Sequence, residues 1–575
     1  MAANTGFAGF TGHRQGNGDI AATEGLTSYS ITTNNRGFIA NYNLEIGKKY
    51  YWEVRAKSFG GTNDQLFIGV CLDTTDLTGN RGGGQVAGGG AYGYENYADG
   101  VYLSSASSSG SGAGQYRQAD LPANIRVKVD RVNHTISWAL NAGSFSSTYT
   151  IPSTGRLYPW LGSGGGTLTA EARANFGQDS TFSGDLTAQT NTDENGFGEF
   201  YYSVPSGFLA CCNGNRSVSA DIDPNLTDDN HPTKQFTVAQ WTGNNSSQTV
   251  DIGFKPDLLF FKIPSTANSW TVLDTVRGGT AGSTKSLKLD GTDQESTGAY
   301  VALTGYVSNG FTLTSSSGSD FNTNGTVYNA YCWRANEGTN VTNDDGDTTA
   351  SVSANPKAGF SICTYSGIGS SNGQSTVGHG LDSAPEIIVH KGRNTTAGWW
   401  AQSSLFTGPN YLVQLNSTAG QTEYTGYGNL VAPTSSVFYI NGIDGIGGGS
   451  TNYVSYCWHS VPGYSSFGTY TGSGQQDGRY IDLGFRPKLV VCKKINEAST
   501  TYGWANFNTT HQTSNKATFS GGWFDTGAAW SGNYDIQILG SGFKHRNNNT
   551  NLDASGKTYL YMAWADVPAK YNNGF

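Results

Sequence analysis

The chain has 575 residues, too many for one hydrophobic core, so several domains are expected. With 80 glycines, 13% aromatic residues and only 13% charged ones, its composition excludes a disordered chain and suits short strands joined by tight turns. A net charge of −9 without any Lys/Arg cluster argues against a nucleic-acid surface, and no run of 18 apolar residues is present to suggest a membrane-spanning helix.

No long segment shows a 3.6-residue apolar period, and Asn-Gly pairs at Asn195, Asn213, Asn309, Asn324, Asn372 and Asn441 mark turns that need positive φ. The fold class expected is all-β, built as tandem β-sandwich domains. Residues 1–24 lack the basic and apolar regions of a signal peptide and are read as an N-terminal arm. The next segment, 25–212, carries KYYWEVRA (49–56), LFIGVCLD (66–73), IRVKVDRVNHTISWALNAG (125–143), LYPW (157–160) and NFGQDSTF (175–182) in that order. This ordered series resembles a SPRY domain, a concanavalin-like β-sandwich. The resemblance implies that Tyr51–Val54, Phe67–Val70 and Asn175–Gly177 are structural, and that partners are bound by variable loops at one rim. The corresponding region here, 81–116, is a Gly/Ser tract carrying Tyr92, Tyr94, Tyr97, Tyr102 and Tyr116.

After an acidic linker (213–234, containing DIDPNLTDDNHP) the chain repeats itself three times, at 235–340, 341–460 and 461–575. Each unit opens with an aromatic-polar-Gly strand end (QWTG, TYSG, TYTG) and closes on YNAYCW, YVSYCW or YLYMAW. The spacing from opening glycine to closing tryptophan is 90, 91 and 92 residues, for Gly243–Trp333, Gly367–Trp458 and Gly472–Trp564. Between them lie a glycine, a proline and an apolar run ending on a lysine six residues beyond that proline (Lys262, Lys391, Lys493), then a tryptophan landmark at Trp270, Trp400 and Trp504. The runs LLFF, EIIV and LVV suit strands buried on both faces. Alternation in YxxYxW puts its first Tyr and its Trp on opposite faces, with the Trp expected to anchor a sandwich core.

The SPRY-like unit ending in FYYSVPSGFLACC, the acidic linker and the DxGFKPxxxxxK units together resemble tail-fibre and related virion proteins of marine tailed bacteriophages, over nearly the whole chain. That family has no assigned reaction, so the resemblance implies a particle component. Seven cysteines, an odd number, do not form a disulfide framework and suit a reducing cytoplasm, whereas the Gly/Ser/Thr/Asn-rich surface looks extracellular. Assembly in a host cytoplasm and release in a virion reconciles the two.

Catalytic motifs do not hold up in context. GSSNG (369–373) lacks the strand-to-helix setting of a nucleophile elbow, and SGKT (555–558) lacks the first glycine and the helix of a phosphate loop. NDDGD (343–347) reads as an acidic turn, Asp274 with Arg277 as a structural ion pair, and the cysteines beside the closing tryptophans as small buried apolar residues. No catalytic residue, metal or cofactor is assigned, and the protein is not expected to be an enzyme; a pair of glycan-hydrolysing carboxylates across β-loops is not visible in sequence. The binding candidates are aromatic: Trp523, Phe524, Trp530 and Tyr534 in the glycine-rich stretch SGGWFDTGAAWSGNYD, and Tyr92, Tyr94, Tyr97 and Tyr102 of the first unit. Exposed aromatics of this kind stack on sugar rings. The expected role is a virion appendage, such as a tail fibre, that recognises host-surface polysaccharide or protein. Its expected partners are other virion proteins, with a homotrimer implied by the resemblance and neither nucleic acid nor membrane insertion. A head-decoration or tail-assembly component is the alternative, and a glycan depolymerase the remote one.

Overall fold

The computed structural model describes residues 6–8, 20–23, 28–31, 37–59, 64–72, 91–95, 101–103, 120–165, 170–278, 284–297, 303–314, 321–369, 373–425, 428–449, 451–475, 478–498, 503–511, 519–534, 536–546 and 549–572. Its secondary structure is strands with a few 3-10 turns. In the first unit, one sheet is centred on Lys49–Phe59, between Ala170–Asn175 and Ala123–Asp130; the other is centred on Asp64–Leu72, between Leu157–Gly165 and Ala91–Glu95. Trp52 and Val54 point inward against Ile68, Val70 and Val127, and Trp138 Nε1 donates across the sandwich to the Ile68 carbonyl at 2.8 Å. The outward face is buried as well. Glu53 is fully buried beneath the 200–212 segment and accepts from the amides of Tyr201 (3.0 Å) and Tyr202 (2.8 Å) and from the Tyr51 hydroxyl (2.8 Å). Burial raises its pKa, opposed by those donors.

Each repeat builds one large antiparallel sheet and one small one. In the first repeat the large sheet runs, in spatial order, from the opening strand Phe236–Thr242 through the closing strand Val327–Trp333, the lysine strand Leu258–Lys262 and the tryptophan strand Thr271–Asp274 to Lys285–Lys288 and Ser296–Thr297. The same strand order recurs in the other two repeats, and the second adds two strands, Val341–Asn343 and Ala350–Asn355, beyond its opening strand. The opening-strand aromatic stacks on the first tyrosine of YxxYxW in every repeat: Trp241 on Tyr328 (5.4 Å), Tyr365 on Tyr453 (5.5 Å) and Tyr470 on Tyr559 (5.0 Å). The glycine two residues on is needed because the neighbouring chain passes close; a Cβ on Gly243 or Gly472 would lie 2.2 Å from a backbone oxygen.

Both faces of each large sheet are covered, as the apolar runs predict, but by different things. Leu259 and Phe261 face the sandwich core of the first repeat; Leu258 and Phe260 face a core shared by all three repeats. Ile388 against Ile387, and Val490 against Leu489, divide in the same way. The closing tryptophans belong to the shared core. Trp333, Trp458 and Trp564 meet one another at ring separations of 5.4–6.2 Å, so they anchor the junction of the repeats and not the sandwiches the sequence assigned them to. The large sheets thus stand around a pseudo-threefold axis within one chain.

Adjacent repeats are tied by a repeated bond. Trp399 Nε1 donates to the Lys288 carbonyl (2.7 Å), Trp504 Nε1 to the Gln414 carbonyl (2.9 Å) and Trp270 Nε1 to the Trp523 carbonyl (2.6 Å). Each repeat donates to the one before it, and the first donates to the third, so the ring closes. The landmark in the second repeat is therefore Trp399, which pairs with Lys391 as Trp504 pairs with Lys493; Trp400 lies on the other face, in the sandwich core. The first unit rests on the third repeat through Arg216. Its guanidinium lies 4.2 Å from the Tyr42 ring centroid and 2.9 Å from Asp482, and Asp482 also accepts from the Asn43 amide (2.7 Å). Ile222 of the linker enters the shared core.

Replacing Trp458 by alanine empties the centre of the ring and is expected to cost about 3–5 kcal/mol. Val431→Ala, at an exposed site, should stay within about 0.5 kcal/mol. Urea denaturation of the two variants checks both values.

Candidate functional site

The aromatic stretch of the third repeat is not an exposed binding loop. It folds as the strands Phe519–Trp523 and Ser531–Tyr534, with Trp523 (2% exposed), Phe524 and Tyr534 buried and Trp530 half-buried. Trp523 and Tyr534 pack edge-to-face in the sandwich core, with ring centroids 5.0 Å apart. Phe524 reaches into the first repeat, 5.1 Å from Trp270 and 6.0 Å from Phe260, and the Trp530 amide donates to the Pro264 carbonyl at 2.8 Å. The stretch is the repeat's own seam element. Phe524 stands where Leu289 and Leu415 stand, its amide bonded to the Trp504 carbonyl as theirs are to those of Trp270 and Trp399. Asp525, Asp290 and Asn416 each accept from the backbone amide of the same tryptophans. In the first unit, Tyr94 is buried and stacked on Trp138, and Tyr92 is half-buried against the core. Tyr102 lies on the strand Val101–Leu103, its side chain outside the described residues, and Tyr97 and Tyr116 fall outside them altogether.

The seams hold three buried lysines with carbonyl oxygens as partners. Lys262 Nζ donates to Asn268 (2.6 Å) and, across the seam, Gly527 (2.9 Å); Lys391 to Ala397 and, across, Thr292 (3.0 Å); Lys493, across, to Ser417 (3.1 Å). Burial lowers each to about 8. Neighbouring hydroxyls add to two seams: Tyr331 donates to Asn506 (2.6 Å) and Tyr456 to Asp274 (2.6 Å), while the third has Met562 at that position. Asp274 also pairs with Arg277, completely buried, so this pair is structural. The seven cysteines are buried and unpaired by disulfides, and burial depresses His390 and His545 to about 3. Among the described residues there is no group of three His, Cys, Asp or Glu able to hold a metal, and no helix long and apolar enough to cross a membrane. NDDGD forms a turn closed by Thr349 and Thr376 hydroxyls on Asp344 and Asp347. Gly556 of SGKT sits at φ +71°, matching Gly325 at +77°.

A recessed polar site lies where the linker meets the connection between the first two repeats. This cleft of about 440 Å³ is lined by Asp221, Asp229, Asn230 and Gln235 on one side and by Arg334–Glu337, Thr339 and Ala354–Lys357 on the other. Arg334 directly follows the core Trp333 and binds both Asp229 (2.7 Å) and Glu337 (2.5 Å). Asn355 Nδ2 donates to Gln235 Oε1 at 2.9 Å, joining the walls. Beneath them, buried Asp257 takes the amides of Ala335 (2.7 Å), Glu337 (2.9 Å) and Gly338 (2.6 Å) and the Thr275 hydroxyl (2.8 Å). Those bonds hold Glu337 at φ +52°, a conformation costly for a residue with a side chain. Sequence reasoning missed this site because its walls are about a hundred residues apart. The bulkier 334–358 connection, longer than the one after Trp458, was the only signal.

A SPRY-domain family model matches residues 49–179 and one described as a domain of unknown function, DUF7483, matches residues 231–568. No curated protein matches the chain. Similar solved structures include the SPRY domain of human HERC1 (12% identity, 27% of this chain and 91% of that one, TM-score 0.22), stonustoxin (13%, 27% and 26%, 0.21) and the metal-free carbohydrate recognition domain of Emp46p (12%, 27% and 84%, 0.19).

Two outcomes test the seam. Lys391→Met leaves the Ala397 carbonyl without its donor, while Thr292 keeps only the Ala397 amide (3.0 Å), and should destabilise the protein at pH 7 by about 1–3 kcal/mol. The folded lysine titrates near 8 and an unfolded one near 10.4. Between these values the unfolded chain binds more protons, so this group's contribution to stability rises with pH, and its penalty is complete below pH 8. Melting curves from pH 7.5 to 9.5 should therefore show a smaller upward trend in the variant than in the parent. A model match spanning more than half of the sequence places this chain in the DUF7483 family, behind an N-terminal SPRY domain.

Proposed function

We propose that the protein is a virion appendage of a tailed bacteriophage, a tail fibre or similar fibre, that binds the host surface. The observation that carries this reading is architectural. A SPRY sandwich, a unit that works by loops at one rim, is clasped by the buried Arg216–Asp482 pair to a closed three-repeat ring. Such a base fixes the sandwich relative to the ring, which lowers the orientational cost of presenting it to a surface. The sequence resemblance to marine phage fibres supports the setting, with assembly in the host cytoplasm and release in the particle. The proposed ligand is host-surface polysaccharide or a protein receptor, and the virion supplies the remaining partners. Binding is favoured over hydrolysis: the cleft carboxylates Asp229 and Glu337 are both engaged by Arg334 and so are not free to flank a glycosidic bond.

One observation favours the structural alternative, a head or tail component without a receptor. The aromatics Trp523, Phe524 and Trp530 pack against core or seam, so this stretch offers no exposed aromatic platform among the described residues. The homotrimer implied by the resemblance is a separate proposal. One chain already supplies threefold packing, and light scattering of the purified protein distinguishes a mass of one chain from that of three.

Fluorescently labelled full-length protein should bind intact host cells saturably, and extracted surface polysaccharide should compete. Absence of binding by folded protein transfers the assignment to a structural virion component. Shortening of the polysaccharide by the purified protein would instead establish a depolymerase.

A further inference from the structure

We propose that the cleft between the linker and the first two repeats is a binding site for an uncharged saccharide. The inference stands apart from the SPRY rim and names a second site, on the ring. Its walls decide the ligand class. The side chains facing the cleft are mostly amides and charged groups, and the apolar lining is confined to Ala335, Ala354 and Pro356. A lipid or an apolar peptide side chain would find little surface to cover there. A phosphate or other anion would meet the carboxylates of Asp221, Asp229 and Glu337 on a chain of net charge −9. A metal ion finds no set of three ligands among the described residues. What remains is a neutral molecule rich in hydroxyls, each able to donate to a carboxylate and accept from an amide or ammonium group.

The site is also rigid. Arg334 is held by two carboxylates and follows a tryptophan at the centre of the ring; Asn355 is pinned to Gln235; and Asp257 fixes the turn that carries Glu337. Ligand groups would meet donors and acceptors already in place, which lowers the ordering cost of binding. A volume of about 440 Å³ falls within the range of small-ligand clefts and accommodates one or two sugar rings. Among the exposed members of the lining, Asp221, Asn336, Thr339 and Lys357 lie outside the ion pairs that engage Asp229 and Glu337, and are left to make polar contacts.

The test is ligand-observed NMR and calorimetry on the full chain, with glucose, galactose, N-acetylglucosamine and their β-linked disaccharides as probes. At least one is expected to bind in the millimolar to micromolar range. Asn336→Trp, which fills the cleft, and the double variant Asn336→Ala/Lys357→Ala should weaken that binding at least tenfold with unchanged melting temperature. Binding by both variants at the parental affinity overturns the proposal, as does the absence of binding for every probe. Host-cell adsorption is read in parallel. Cells bound by the cleft variants, with the monosaccharide signal lost, place the two activities at different sites and support this proposal; monosaccharide binding without adsorption supports it while counting against the host-recognition reading.

Discussion

Three indoles from three distant parts of the chain share one contact, and the arrangement of the C-terminal two thirds depends on it. Trp333, Trp458 and Trp564 each end a closing strand, and each packs against its own opening-strand phenylalanine, Phe236, Phe360 or Phe467, at 4.9–5.4 Å. Large aromatic rings bury more apolar area per residue than any other side chain. Gathering three at one axis makes the axial face of every large sheet a core surface. This is why the lysine strands are apolar on both faces, one set of side chains serving the sandwich and the alternate set the ring. The indole-to-carbonyl bonds then set the angle between neighbours, because each needs the seam segment of the preceding repeat around the ring at hydrogen-bond distance.

Closure changes what the polar residues at the seams do. Among the described residues Lys262, Lys391 and Lys493 have no carboxylate at hydrogen-bond distance, yet each reaches a carbonyl oxygen of the neighbouring repeat. A charge so placed adds directional bonds at the cost of desolvation, and contributes registry more than net stability. The junction with the SPRY domain uses the same device. Asp482 sits in a turn motif whose counterpart in the first repeat, Asp251, is exposed and caps its own turn at the Gly253 amide (2.9 Å). In the third repeat that carboxylate is covered by Arg216, Tyr42 and the Asn43 amide. The motif thus caps its turn in both repeats, Asp482 accepting from the Gly484 amide (3.4 Å), and in the third it is a docking point as well.

The aromatic stretch at 520–535 shows where reading by sequence fails. Compared with Lys288-Leu289-Asp290 and Gln414-Leu415-Asn416, the triplet Trp523-Phe524-Asp525 has the same small-polar ending, but it ends 21 residues behind its tryptophan where the others end 20 and 17 behind theirs, so only that ending was legible as a seam signal. Its bulk drew attention instead. Which face a residue presents also depends on a one-residue choice, as with Trp399 and Trp400, since neighbours on a strand point in opposite directions. The cleft was legible only as the long 334–358 connection: Gln235 and Asn355 meet because the ring brings the linker under the connection between two repeats.

The SPRY-like reading of the first segment came from resemblance; composition and periodicity alone determined that the chain is all-β, that three homologous units follow that segment, and that the lysine strands are buried on both sides. These follow from side-chain alternation and from repeated spacing, which are local properties of the chain. Only the tertiary structure decided that the second buried face is a ring shared among the units, that the closing tryptophans belong to it, and that Tyr94, Trp523, Phe524 and Tyr534 pack inside. Those outcomes depend on which surfaces meet across a hundred or more residues, and hydrophobic burial, being non-directional, leaves that choice to the complementarity of whole faces.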